Sequence, residues 1–73
     1  MPKLPRTSER KILATLERMG LVIVRRRGSH IILRKKDRGC VLPDHDEVAV
    51  GTLRSVLRQA DISPEEFLKN FDA

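Results

Sequence analysis

The stretch Leu21-Val22-Ile23-Val24-Arg25-Arg26-Arg27-Gly28-Ser29-His30-Ile31-Ile32-Leu33-Arg34-Lys35-Lys36 decides how this chain folds. Its two apolar runs, residues 21–24 and 31–33, are strand-length and rich in β-branched side chains. The basic segment between them carries one glycine, the usual make-up of a hairpin connection. Side chains alternate across a strand, so a first strand over 21–26 puts Leu21 and Ile23 on one face and Val22, Val24 and Arg26 on the other. In a second strand over 30–35, Ile31 and Leu33 oppose His30, Ile32 and Arg34. The imidazole therefore points away from the core, among six cationic side chains: Arg25, Arg26, Arg27, Arg34, Lys35 and Lys36.

Upstream, residues 1–6 read as a short flexible arm. Thr7 or Ser8 can cap a helix, with Glu9 in the first turn to suit its dipole. Ile12, Leu13, Leu16 and Met19 recur at helical spacing, and Gly20 ends the helix. Downstream, Asp37-Arg38-Gly39 reads as a tight turn and residues 39–42 as a third strand stopped by Pro43. Gly51-Thr52 signals the start of the next helix, whose stripe is Leu53, Val56, Leu57 and Ala60. Ser63-Pro64-Glu65-Glu66 is a capping box with proline at the first helical position, and Phe67, Leu68 and Phe71 form the buried side of a last helix. The expected architecture is α+β, in the order α-β-β-β-α-α: a three-stranded antiparallel sheet with helices on one face. That arrangement leaves Val22, Val24 and Ile32 partly uncovered, to be borne by the strand or covered by a partner.

The chain has 73 residues, enough for one small domain. Such a domain buries only ~60% of its unfolded surface, so its stability is marginal. With no Trp or Tyr and only two Phe, aliphatic side chains must fill the core. Fifteen Lys and Arg against ten Asp and Glu give a formal charge of +5. The excess is concentrated between Arg25 and Arg38, while the stretch from Asp44 onward is net acidic. This asymmetry points to a polyanion-binding face. A membrane is a poor fit, because no apolar run approaches the ~20 residues of a spanning helix. The lone Cys40 cannot form an internal disulfide and reads as a small buried hydrophobe in a cytoplasmic protein.

His30 is the leading site candidate. An imidazole can accept and donate protons near neutral pH. Cleavage of RNA needs a base for the 2′-hydroxyl, an acid for the leaving oxygen and cations for the phosphorane charge, with no cofactor. Gly28 lets a backbone approach closely, and Ser29 can donate to a phosphate oxygen. The plain alternative is a surface histidine in a solvated basic hairpin. His45, in Pro43-Asp44-His45-Asp46-Glu47, is a candidate contributor to acid–base chemistry or a plain loop residue. No metal site is expected there, because consecutive loop residues rarely converge on one ion.

These features together resemble the HicA family of toxins from toxin–antitoxin systems. The likeness runs from a first helix ending in Gly20-Leu21, through the basic strand into Gly28-Ser29-His30, to Pro43-Asp44-His45. It continues into Gly51-Thr52-Leu53-Arg54, then a helix of the form Arg-x-x-x-x-Gln-Ala, and closes at Ser63-Pro64-Glu65-Glu66-Phe67-Leu68. The resemblance implies a double-stranded-RNA-binding-domain-like fold and an mRNA-cleaving ribonuclease, with His30 as its catalytic residue and His45 as a candidate contributor. It also implies a cognate HicB-like antitoxin that covers the active site. Leu21 departs from the aromatic usual after the helix-ending glycine, which affects packing more than chemistry. Three other functions compete, in decreasing order: a non-catalytic RNA-binding module, a small DNA-binding regulator and a purely structural partner protein. The second lacks a recognition helix rich in basic and amide side chains, and the third leaves the clustered cations unexplained.

Overall fold

A computed structural model describes residues 3–71. The elements are α1 (Glu9–Arg18), β1 (Val22–Arg27), β2 (His30–Lys35), β3 (Arg38–Pro43), α2 (Val50–Gln59) and α3 (Pro64–Asn70). The three strands form one antiparallel sheet with β2 in the centre. The expected α-β-β-β-α-α order is therefore the order observed. Ile31, Leu33, Cys40 and Leu42 leave the sheet on one side and join Ile12, Leu16, Leu53, Val56, Leu57 and Phe67 in a single core. The opposite face carries no helix, and Val22, Val24 and Val41 stand exposed on it.

Both ends of α1 follow from local chemistry. Ser8 is the N-cap, its Oγ accepting from the Lys11 N–H at 3.2 Å. At the other end, Gly20 takes φ +98°, where a side chain would be strained. The Gly20 N–H donates to the Glu17 carbonyl and the Leu21 N–H to the Leu16 carbonyl, a Schellman closure that tucks Leu21 into the core. The same closure ends α2. There Asp61 takes the left-handed position at φ +57°, and Ile62 N–H donates to the Leu57 carbonyl at 2.9 Å.

Several boundaries moved for reasons outside local sequence. The expected arm over residues 1–6 is docked in its described part. Leu4 is buried, Arg6 pairs with Glu47 at 3.5 Å, and Thr7 bridges Val48; residues 1–2 lie outside the described residues. That bridge, with Val48 N–H donating to the Thr7 carbonyl at 2.8 Å, holds buried Val48 just ahead of α2. The helix accordingly starts at Val50, capped by Ala49 without a side-chain hydrogen bond, and Gly51-Thr52 fall inside its first turn. The second hairpin turns at Lys36-Asp37 rather than over residues 37–39, because Lys35 pairs with Arg38. Lys36 takes φ +58° there.

The capping box at α3 is realised in part. Ser63 Oγ accepts from the Glu66 N–H at 3.1 Å and donates to Glu66 Oε1 at 3.3 Å, with Pro64 opening the helix. Replacing Ser63 with Ala should cost about 1 kcal/mol and lower the melting temperature by roughly 4–8 °C. Thermal denaturation followed by circular dichroism reads this directly, and an unchanged melting point would remove the cap from the account.

Cys40 packs in the core between the sheet and the helices, and burial pushes its thiol up to about 11. The unfolded chain loses this proton first, near an ordinary thiol pKa of ~8.5. The contribution to stability is thus fully present below that pH and is lost as pH rises through the folded value, by on the order of 3 kcal/mol. Urea unfolding at pH 8 and pH 10.5 should show a steeper loss in the parent than in Cys40→Ala. Equal losses would mean that the thiol titrates alike in both states.

Candidate nucleic-acid interface

The first hairpin turns on Gly28-Ser29, with Arg27 paired to His30 and Gly28 at φ +59°. A glycine at the first position of a two-residue loop suits a turn whose twist matches the strands. His30 then opens β2 and pairs on its other side with Pro43. Paired residues share a face, so Arg27, His30 and Pro43 form one row across the helix-free side of the sheet. The next row on that face is Arg25, Ile32 and Val41, and the last is Val22, Arg34 and Gly39. Proline beside the imidazole leaves it open. Among the described residues its ring makes no hydrogen bond or ion pair within the chain, and His30 is exposed.

A bulge between Ile23 and Arg25 changes which cations share this face. Unbroken alternation put Arg26 beside His30. With Val24 bulged, Arg25 and Arg27 take that face and Arg26 pairs with core-facing Ile31 instead. A neighbouring strand residue lies about 4.5–5.5 Å away and a diagonal one about 7–8 Å, so Arg27 and Arg25 are the cations within reach of His30. Arg34 lies on the same face, two rows off. Lys35 is otherwise engaged, its Nζ donating to the Met19 carbonyl at 2.8 Å to close the end of α1. Lys36 sits in the far turn. Of the eight residues expected to contact RNA, Arg25, Arg27, Gly28 and Ser29 gather around His30, and Arg34 shares its face two rows off; Arg26, Lys35 and Lys36 stand apart.

The fold also joins two motifs that sequence separates. Asp44 N–H donates to the Ser29 carbonyl at 2.7 Å, so the loop after Pro43 pins the Gly28-Ser29 turn. His45 N–H donates to the Pro43 carbonyl at 3.1 Å, while its side chain lines a groove with Ser8, Glu9, Arg10, Lys11 and Asp46. His45 thus belongs to the start of α1 rather than to the row of His30. Burial and the nearby Asp44 carboxylate raise the Glu9 pKa, against a smaller lowering by Arg26 and Arg10. Sequence reasoning missed this cluster, because Glu9, Arg26 and Asp44 carry no shared spacing. Among the described residues, no group of three or more His, Cys, Asp or Glu side chains could hold a metal ion.

An open imidazole with Arg25 and Arg27 beside it stands on the helix-free sheet face of a small α+β domain. The family model described as the HicA toxin of bacterial toxin–antitoxin systems matches residues 10–62, and the chain belongs to that family. It is therefore a toxin component, and membership implies a cognate antitoxin partner. The match takes in the whole sheet and α2 and stops short of α3. No curated protein sequence matches the chain. Among the described residues no helix is long and apolar enough to cross a membrane.

Proposed function

We propose that this toxin is a metal-independent endoribonuclease that cleaves mRNA in the cytoplasm with His30 as its catalytic residue. The observation that carries the reading is the row Arg27–His30–Pro43, which holds an open imidazole beside a guanidinium on the helix-free face. In this chemistry the 2′-oxygen bonds to phosphorus as the P–O5′ bond breaks. His30 takes the 2′-hydroxyl proton, the leaving 5′-oxygen takes a proton from water, and a 2′,3′-cyclic phosphate remains. Arg25 and Arg27 balance charge developing on the phosphorane oxygens. Ser29 and the open Gly28 admit the phosphate, and Arg34 holds the backbone further along the face. His45 lines a different groove, so the reading rests on His30.

The cognate HicB-like antitoxin covers this face in the same reading. Val22, Val24 and Val41 are 57%, 52% and 38% exposed, an apolar strip beside the arginines that a partner would bury. The second reading, a non-catalytic RNA-binding module, draws on the lack, among the described residues, of any group hydrogen-bonded to the His30 ring. Incubating the purified chain with single-stranded RNA in EDTA separates the two. New ends bearing 2′,3′-cyclic phosphate support the ribonuclease; RNA that is bound but intact supports the module and overturns the enzyme.

A further inference from the structure

The sheet end remote from His30 carries a second basic groove. It opens with a volume of about 690 Å³ between Arg38 at the start of β3, Arg54 and Arg58 on α2, and Ser63 ahead of α3. Two acids also line it, and both are engaged. Asp61 pairs with Arg38 at 3.6 Å, and the Glu66 carboxylate accepts from Ser63 at 3.3 Å. Arg54 and Arg58 are exposed and have no ion-pair partner among the described residues. They stand at i and i+4 on one helix, a like-charge spacing that works against helix formation. Nothing in the packing of α2 requires it, since the core stripe is Leu53, Val56 and Leu57.

The edge strand β3 lies between this groove and the His30 face. A depression across β3 is lined by Ile32, Arg34, Gly39, Val41 and Gln59, with Asp37 as its one acid. Gln59 Oε1 accepts the outward N–H of Val41 at 2.9 Å, which ties α2 to the sheet edge beside Arg58. Arg38 pairs with Lys35, five residues along β2 from His30, or roughly 17 Å at strand rise. We propose that Arg38, Arg54 and Arg58 form a second phosphodiester site, which holds the same RNA chain after it crosses β3 from the His30 face. The inference rests on the ribonuclease reading and extends its footprint. An RNA backbone is favoured over an acidic peptide because the cations recur along one path, from Arg27 and Arg34 to Arg58.

The test measures binding of fluorescently labelled single-stranded RNA of about 4 and about 16 nucleotides, the span of known single-strand footprints. Arg54→Gln/Arg58→Gln should weaken the longer RNA about tenfold and reduce the slope of log affinity against log salt by about 1.4, or about 0.7 per lost charge. Binding and cleavage of the short RNA should stay at the parent level, and the melting temperature should not fall, since a like-charge pair on α2 is removed. Asp61→Asn, which frees Arg38 and keeps a residue tolerant of the left-handed position, should tighten the longer RNA. Arg54→Lys/Arg58→Lys should keep the parent salt slope. Unchanged affinity and slope for the longer RNA in the Gln variant would overturn the site. So would loss of polyglutamate binding in that variant with RNA binding intact, which would assign the groove to a protein. If the parent binds neither RNA, the ribonuclease reading itself fails.

Discussion

Replacing His30 with alanine should lower RNA cleavage by about 10²–10⁴-fold, the range for loss of one general acid–base group. Binding of the same RNA should stay near the parent level, because Arg25, Arg27 and Arg34 remain on the face. Stability should change by less than about 0.5 kcal/mol. The side chain is exposed, and among the described residues it makes no hydrogen bond whose loss would strand a partner. A fall in activity cannot then be ascribed to unfolding, and a melting curve beside the rate measurement checks that. Free imidazole added to the His30→Ala variant should restore part of the rate, since the open row leaves room for it next to Pro43. Undiminished cleavage by the variant would take the proton transfer away from His30. Weakened binding with an unchanged rate at saturating RNA would reduce His30 to a contact residue.

Phe67→Ala should destabilise the domain by about 3–5 kcal/mol. Small domains have ~5 kcal/mol to lose, so the variant should be largely unfolded near 37 °C. Phe67 is wholly buried and stacks on Phe71 with ring centroids 5.5 Å apart. The helix that carries it lies beyond the residues matched by the family, yet it is tied to α1. Arg18 donates to the Asn70 carbonyl through Nε at 2.9 Å and Nη2 at 2.6 Å. With so few aromatic side chains in the chain, no neighbour can fill the space that Phe67 leaves. Urea denaturation monitored by circular dichroism reads the loss. A cost below about 1 kcal/mol would mean that α3 is not docked in solution.

The two predictions bear on parts of the molecule that were legible to different degrees. β2 is readable residue by residue, because its alternation is unbroken: His30, Ile32 and Arg34 face out while Ile31 and Leu33 are buried. The stripe of α2 and the Ser63 cap are equally plain, since helix period and capping act over three or four residues. β1 was less so. A single bulged residue reversed the expected side of Arg26, and a bulge arises from pairing with another strand rather than from propensity. The start of α2 was misplaced for a similar reason: the bridge from Thr7 to Val48 acts across some forty residues of chain.

What the sequence by itself determined was the order of elements, the open placement of His30, the Ser63 cap and the concentration of cations in one hairpin. All of these depend on spacings of a few residues, which the chain carries wherever it folds. Tertiary structure alone decided which arginines stand beside His30, that the Asp44 backbone pins the Ser29 turn, and that Arg38 meets Arg54 and Arg58 across a groove. Each of those depends on strand register or on packing of α2 against the sheet. A shift of one residue in register exchanges the two faces of a strand, so no local pattern could have specified them.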